Sequence, residues 1–192
     1  MTVTESALLA ELRNGNQQAF RRLLESHQDK VYNTCLGFVR DPEDASDLTQ
    51  EVFIQVYRSV SRFEGKSSLS TWIYRIAVNK ALEHLRKKKK RSLVSWLPFS
   101  GDQDSPERQL PDPVHPGLLL ENQERSEQLF AAIDKLPERQ KSALVLYQFE
   151  ELSYKEICDV LELSLSSVES LIFRAKKNLK KHLQAYFEKR GS

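Results

Sequence analysis

Arg75, Asn79 and Arg86 fall at helical spacing on one strip, turned away from Trp72 and Ile73. An asparagine amide can hydrogen-bond a base edge, and guanidinium groups suit phosphate oxygens. The basic run Arg86–Arg91 extends the strip. It would add salt-sensitive affinity for a polyanion through counterion release. Taken alone, that run reads equally well as a solvated helix end. A second strip repeats at three and four residues through Ser167, Ser170, Arg174, Lys177 and Lys181. Val168, Ile172, Ala175 and Leu179 form the apolar face of the same helix. Small polar residues near a helix start can enter a major groove, while Arg and Lys further along hold phosphates. Glu169 sits beside them. It can accept from a cytosine amino group, or serve a capping box with Ser166.

Catalytic chemistry finds no such pattern. His27, His84, His115 and His182 are scattered, and Cys35 and Cys158 are far apart without a Cys-x-x-Cys. No nucleophile–base constellation, metal-ligand spacing or Gly-rich phosphate loop is present. No cofactor or metal is expected, and reduced cytosolic thiols are the default.

The elements that position these residues read as helices almost throughout. The fold class is all-α: two small helical domains joined by a Pro-rich linker, the second containing a helix-turn-helix. A first helix near Thr4–Arg13 stops at Asn14-Gly15. A second starts at Asn16, with Phe20, Leu23, Leu24, Val31, Leu36 and Val39 as its stripe. Asp41-Pro42-Glu43-Asp44 restarts the chain with an N-cap, a proline at the first helical position and acids in the first turn. This third helix runs to about Phe63, burying Ala45, Leu48, Val52 and Val56, and its exposed acids would repel DNA. After the loop 64–68 a fourth helix, from Leu69 to about Lys89, buries Leu69, Trp72, Ile73, Ile76 and Ala77.

Residues 1–92 form the first domain and residues 125–192 the second. Between them, residues 93–124 hold Pro98, Pro106, Pro111, Pro113 and Pro116 and an excess of acids. Proline removes donors and fixes φ, so no long helix survives there. Trp96, Leu97 and Phe99 are expected to pack back on a domain. In the second domain, Leu129, Ile133 and Leu136 mark one helix, and Pro137-Glu138 opens the next with Ala143, Leu144 and Tyr147. Ser153-Tyr154-Lys155-Glu156 is a capping box before Ile157, Val160 and Leu161. Glu162-Leu163-Ser164 is a tight turn, and Ser166-Ser167-Val168-Glu169 reads as a second box. Two capped helices joined so closely are a helix-turn-helix.

The net charge of +2 hides two basic blocks around an acidic middle, the pattern of a polyanion gripped at two places. No apolar run approaches the length of a membrane span, and Met1–Leu12 lacks the apolar core of a signal peptide. The expected location is the cytoplasm, with no membrane insertion.

In order and spacing, several stretches resemble the extracytoplasmic-function (ECF) group of bacterial sigma factors. They are Asp41–Phe53, Ser70–Asn79, Leu136–Gln140, Leu152–Ile157 and Ile172–Ala175. The resemblance implies a protein that binds core RNA polymerase and directs it to promoter DNA through −10 and −35 elements, assisting melting. It assigns Asp47, Gln50, Glu51 and Phe53 to the beta-prime clamp helices. Phe63, Ser67, Ser68, Arg75, Asn79 and Arg86 fall to the −10 element, with the loop Glu64–Ser70 capturing an unpaired base. Ser167, Glu169, Ser170, Arg174, Lys177 and Lys181 fall to the −35 element, with the beta flap as the second domain's protein partner. An anti-sigma factor is a further implied partner. Many family members carry basic residues where Glu169 and Leu171 sit, so this −35 preference is its own. The competing reading is a polymerase-independent helix-turn-helix regulator, which leaves the acidic third helix without a role.

Overall fold

The computed structural model describes the backbone of residues 3–95 and 128–190, with side chains for 5–91 and 128–184. Every regular element among them is helical. Trp96, Leu97, Phe99 and the linker from residue 96 onward lie outside the described residues.

Helix α1 (Val3–Arg13) ends at Gly15, whose φ of 73° allows the sharp turn into α2 (Gln17–Val39). Asn16 caps α2, its side chain accepting from the N–H groups of Gln18 and Ala19 at 2.9 and 3.2 Å. Arg40, left-handed at φ 58°, stops α2 and donates its N–H to the Leu36 carbonyl. Asp41 then caps α3 (Pro42–Ser59), accepting from the N–H groups of Glu43 and Asp44 at 3.0 Å each. A 3₁₀ turn (Val60–Arg62) and a loop lead into α4 (Leu69–Ser95). That helix runs past the lysine run, so residues 93–95 are helical rather than linker. Helices α2, α3 and α4 pack mutually. Leu23, Val31 and Phe38 are buried on α2, Val52 and Val56 on α3, and Ile73 and Ala77 on α4. Trp72, expected in the core, is only half-buried.

Helix α5 covers 128–134; α6 (Glu138–Gln148), α7 (Tyr154–Leu161) and α8 (Leu165–Arg190) follow. Ile133 and Leu136 are buried as expected, whereas Leu129 is exposed. The Ser153–Glu156 capping box is formed in both directions. The second box is not. Helix α8 starts one residue before Ser166, and Ser164 Oγ accepts from the Ser167 N–H at 3.3 Å.

The two helical units do not stand apart. Helix α2 packs on α6, and α4 packs on α7. Val145, Leu146, Ile157 and Val168 belong to the same buried cluster as Leu23, Val52 and Ile73. At the seam, a Cβ on Gly37 would lie 3.0 Å from Val145 Cγ1. The absence of a side chain at Gly37 is what lets α2 and α6 approach so closely.

The Asp41 cap supplies acceptors for two N–H groups that the helix itself cannot satisfy. Asp41→Ala should cost about 1 kcal/mol of stability, read as a lower urea midpoint with an unchanged slope.

Candidate nucleic-acid and polymerase interface

Helix α4 presents Arg75, Asn79 and Arg86 along one strip, as expected. Asn79 is exposed. Both arginines are engaged by the C-terminal helices. Arg75 is 31% exposed and donates to the Asp159 carbonyl at 2.6 Å; it also pairs with Glu162 at 2.6 Å. Arg86 Nε donates to Glu138 Oε2 at 3.0 Å. The hydrogen bond from Arg86 holds the Glu138 carboxyl below the usual carboxylate range. Carboxylates of the C-terminal helices thus pair with both guanidinium groups. The seam behind them is polar and buried in part. Lys141, only 5% exposed, donates to the Phe38 carbonyl and to Asp134, both at 2.8 Å, and Arg40 pairs with the same Asp134. Tyr74 Oη donates to Glu150 at 3.2 Å, and burial pushes that carboxyl up.

The loop before α4 turns at Gly65, φ 74°. Ser68 is the cap of α4: its Oγ accepts from the Thr71 N–H at 3.0 Å and contacts Thr71 Oγ1 at 2.8 Å. Ser67 Oγ donates to the Ser68 carbonyl at 3.3 Å. Phe63 does not face outward. Its ring is 6% exposed and packs on Trp72 at a 4.9 Å centroid distance, so it supports the loop from the core.

On α3, Asp47, Gln50 and Glu51 are exposed. Glu51 pairs with Lys80 of α4 at 2.9 Å, and Asp44 takes both Lys88 at 3.0 Å and His84 at 3.3 Å. Part of the acid charge therefore binds α3 to the basic helix beside it. Phe53 is 5% exposed and belongs to the core, which corrects its expected place in the dock. Ile54 and Tyr57 are large, apolar and exposed instead. Their spacing from Asp47 and Gln50 puts all four on one strip. The three-and-four repeat 47, 50, 54, 57 is the signal in the sequence that carries this strip.

On α8, Glu169, Arg174, Lys177 and Lys181 are exposed, with Ser167 and Ser170 half-buried beside them. Arg174 Nε donates to Ser170 Oγ at 3.0 Å, so those two act as a unit. Glu169 is the fifth residue of α8, past the first turn, so of its two readings the capping box with Ser166 is not formed. Phe173 is 69% exposed, one turn beyond Glu169 and one turn before Lys177. With Leu165, 52% exposed, it is one of two large apolar residues on α8 left outside the buried set Val168, Ile172 and Ala175 among the described residues. Glu162, left-handed at φ 55°, makes the turn between α7 and α8.

The Sigma-70 region 2 family model matches residues 23–91, and the Sigma-70 region 4 model matches residues 126–179. The RNA polymerase sigma-H factor of Pseudomonas aeruginosa is 34% identical over 94% of each chain. The ECF RNA polymerase sigma-E factor of Escherichia coli K12 is 32% identical over 95% of each chain. The chain belongs to the ECF sigma factors. The fold agrees with that of the sigma factor RpoE, solved in complex with the anti-sigma factor NepR from Bartonella quintana. That match has a TM-score of 0.61 and 19% identity, covering 86% of this chain and 96% of that one. In this sigma factor, region 2 is α2–α4 and region 4 is α5–α8, the latter holding the helix-turn-helix of α7 and α8. No described helix is long and apolar enough to cross a membrane.

The Gly37–Val145 approach holds the two regions together, and Val145 is a stiff, fully buried, β-branched residue. Leucine is a better helix former than glycine by roughly 1 kcal/mol. Gly37→Leu should therefore leave α2 intact while driving region 4 off region 2. Small-angle scattering of the free chain should show a larger radius of gyration at unchanged helical content. An unchanged radius would show that this seam does not set the arrangement.

Proposed function

We propose how the sigma-factor role is divided over the surface. The exposed strip Asp47, Gln50, Ile54 and Tyr57 docks on core RNA polymerase at the beta-prime clamp helices. An apolar pair flanked by acid gives both contact area and charge steering. The loop Glu64–Ser70 and Asn79 capture an unpaired −10 base, with Arg75 and Arg86 on flanking phosphates. Glu169 and Phe173 meet base edges of the −35 element in the major groove, Phe173 suiting a thymine methyl. Arg174, Lys177 and Lys181 hold the backbone, and the rest of region 4 meets the beta flap. Bond-making chemistry stays with the polymerase, in the cytoplasm. An anti-sigma factor is a proposed partner, by likeness to RpoE of Bartonella quintana, which was solved with one.

The observation that carries this division is the capped α7–turn–α8 unit, whose outward strip is basic, together with a second basic strip on α4. In the free chain Arg75 and Arg86 are already paired with region 4. Engagement of the −10 phosphates therefore requires the regions to separate, and we assign that step to docking on the polymerase.

In vitro transcription with core polymerase tests the assignments. Asp47→Lys should weaken core binding by roughly tenfold; it is a cleaner probe than Glu51, whose reversal would also set it against its partner Lys80. Asn79→Ala should change the preferred −10 base, costing about 1–3 kcal/mol at that position. Lys177→Ala should weaken all promoters alike and reduce the salt slope by about one. Glu169→Arg should shift the ranking of a randomised −35 library; an unchanged ranking would remove Glu169 from base reading.

A further inference from the structure

Helix α1 lies outside the segment matched by the region 2 model, which begins at residue 23. It nevertheless reaches both ends of the loop before α4. At the entry, the Arg13 guanidinium donates to the Phe63 carbonyl at 2.5 Å. At the exit, the Glu5 carboxylate accepts from the Leu69 N–H at 2.5 Å. That N–H is one of the first donors of α4, which no helical carbonyl can satisfy. A carboxylate there also meets the positive end of the helix dipole. Glu5 and Arg13 are two turns apart, about 12 Å along a helix axis. Leu9 and Leu12, buried between them in sequence, fix α1 to the core. The helix is therefore a bar anchored at its middle and tied by charged groups to both ends of one short loop. A third tie comes from α2. His27 Nε2 lies 3.0 Å from Ser70 Oγ, and its Nδ1 lies 3.1 Å from the Leu23 carbonyl. Nδ1 also lies 2.7 Å from Ser26 Oγ, so the ring is held from both nitrogens, and burial lowers its pKa.

We infer that Glu5 and Arg13 of α1, with His27, are positioning residues for −10 base selection: they set the span and aim of the loop Glu64–Ser70. This rests on the reading of that loop as the −10 capture site. A pocket that discriminates bases by hydrogen bonds must hold its donors to a fraction of an ångström. The loop has little of its own to do this. Its turn is a glycine, and its serines are committed to the α4 cap and to a neighbouring carbonyl. The three ties add to the Phe63–Trp72 packing beneath the loop and the exposed Glu64–Lys66 pair within it.

The test uses the full chain in holoenzyme on templates with a pre-melted −10 bubble, comparing all bases at the captured position. Glu5→Ala and Arg13→Ala should each reduce selectivity between the best and worst base by roughly fivefold, the lower end of what one base contact supplies. Core affinity and −35 preference should not move, and Glu5→Gln, which keeps an acceptor, should restore part of the selectivity. Loss of activity on every template in proportion to core affinity or to thermal stability would make α1 a purely structural helix and overturn the inference. So would unchanged selectivity in both variants while Ser67→Ala and Asn79→Ala still alter it. If Ser67→Ala and Asn79→Ala change nothing either, the loop reading itself is what fails.

Discussion

Two arginines paired with two glutamates govern what this chain can bind. Arg75 and Arg86 lie on the α4 strip proposed to meet promoter phosphates, and in the free protein they meet Glu162 and Glu138 of region 4. Exposed ion pairs of this kind contribute only about 0–1 kcal/mol each. They do not hold the regions together alone. The apolar seam at Gly37 and Val145 and the buried Lys141, bonded to the end of α2, contribute contacts that water cannot replace cheaply. The closed arrangement is nonetheless imperfect. Arg75 Nε is buried with no hydrogen-bond partner among the described residues. Such an atom costs about 1–3 kcal/mol. The closed state is thus held firmly by its seam and loosely at the outer strip of α4.

Helix α4 is where these demands meet. Its buried face packs on α2 and α3, its basic side takes Asp44 and Glu51 of α3, its first N–H groups close the loop, and its outer strip faces region 4 or DNA. One helix can do all four because successive residues are turned by about 100°. The acid charge of α3 is accordingly not all free to recruit a partner. What remains outward is the mixed strip of Asp47, Gln50, Ile54 and Tyr57. An interface with an apolar centre and a charged edge follows the usual anatomy of protein contacts.

Most of the fold was legible because its signals are local. Asn14-Gly15, Asp41-Pro42, Pro137-Glu138 and the Ser153–Glu156 box each act within a few residues, and each marks a real boundary. The errors have a shared cause. Phe53 and Phe63 fall inside motif stretches expected to face partners, yet large aromatic rings are buried unless something else is gained, and both are core. Phe173 and Tyr57 show the converse, apolar residues left outside on strips proposed to bind partners. The start of α8 was misplaced because Ser164, Ser166 and Ser167 are all competent caps, and only the backbone path selects Ser164. The contact between regions could not be read from either region. Gly37 was its one trace: a glycine inside a helix costs stability and needs a packing reason, here the approach of Val145.

The α4 strip proposed to read DNA is covered by region 4 in the free chain, and docking on the polymerase is proposed to uncover it. Energy transfer between dyes at Gln28→Cys on α2 and Lys180→Cys on α8, in a Cys158→Ser background, measures that directly, since both positions are exposed. The account predicts high transfer in the free chain and a marked drop when core RNA polymerase is added, before any DNA is present. The same transfer in both states would contradict it.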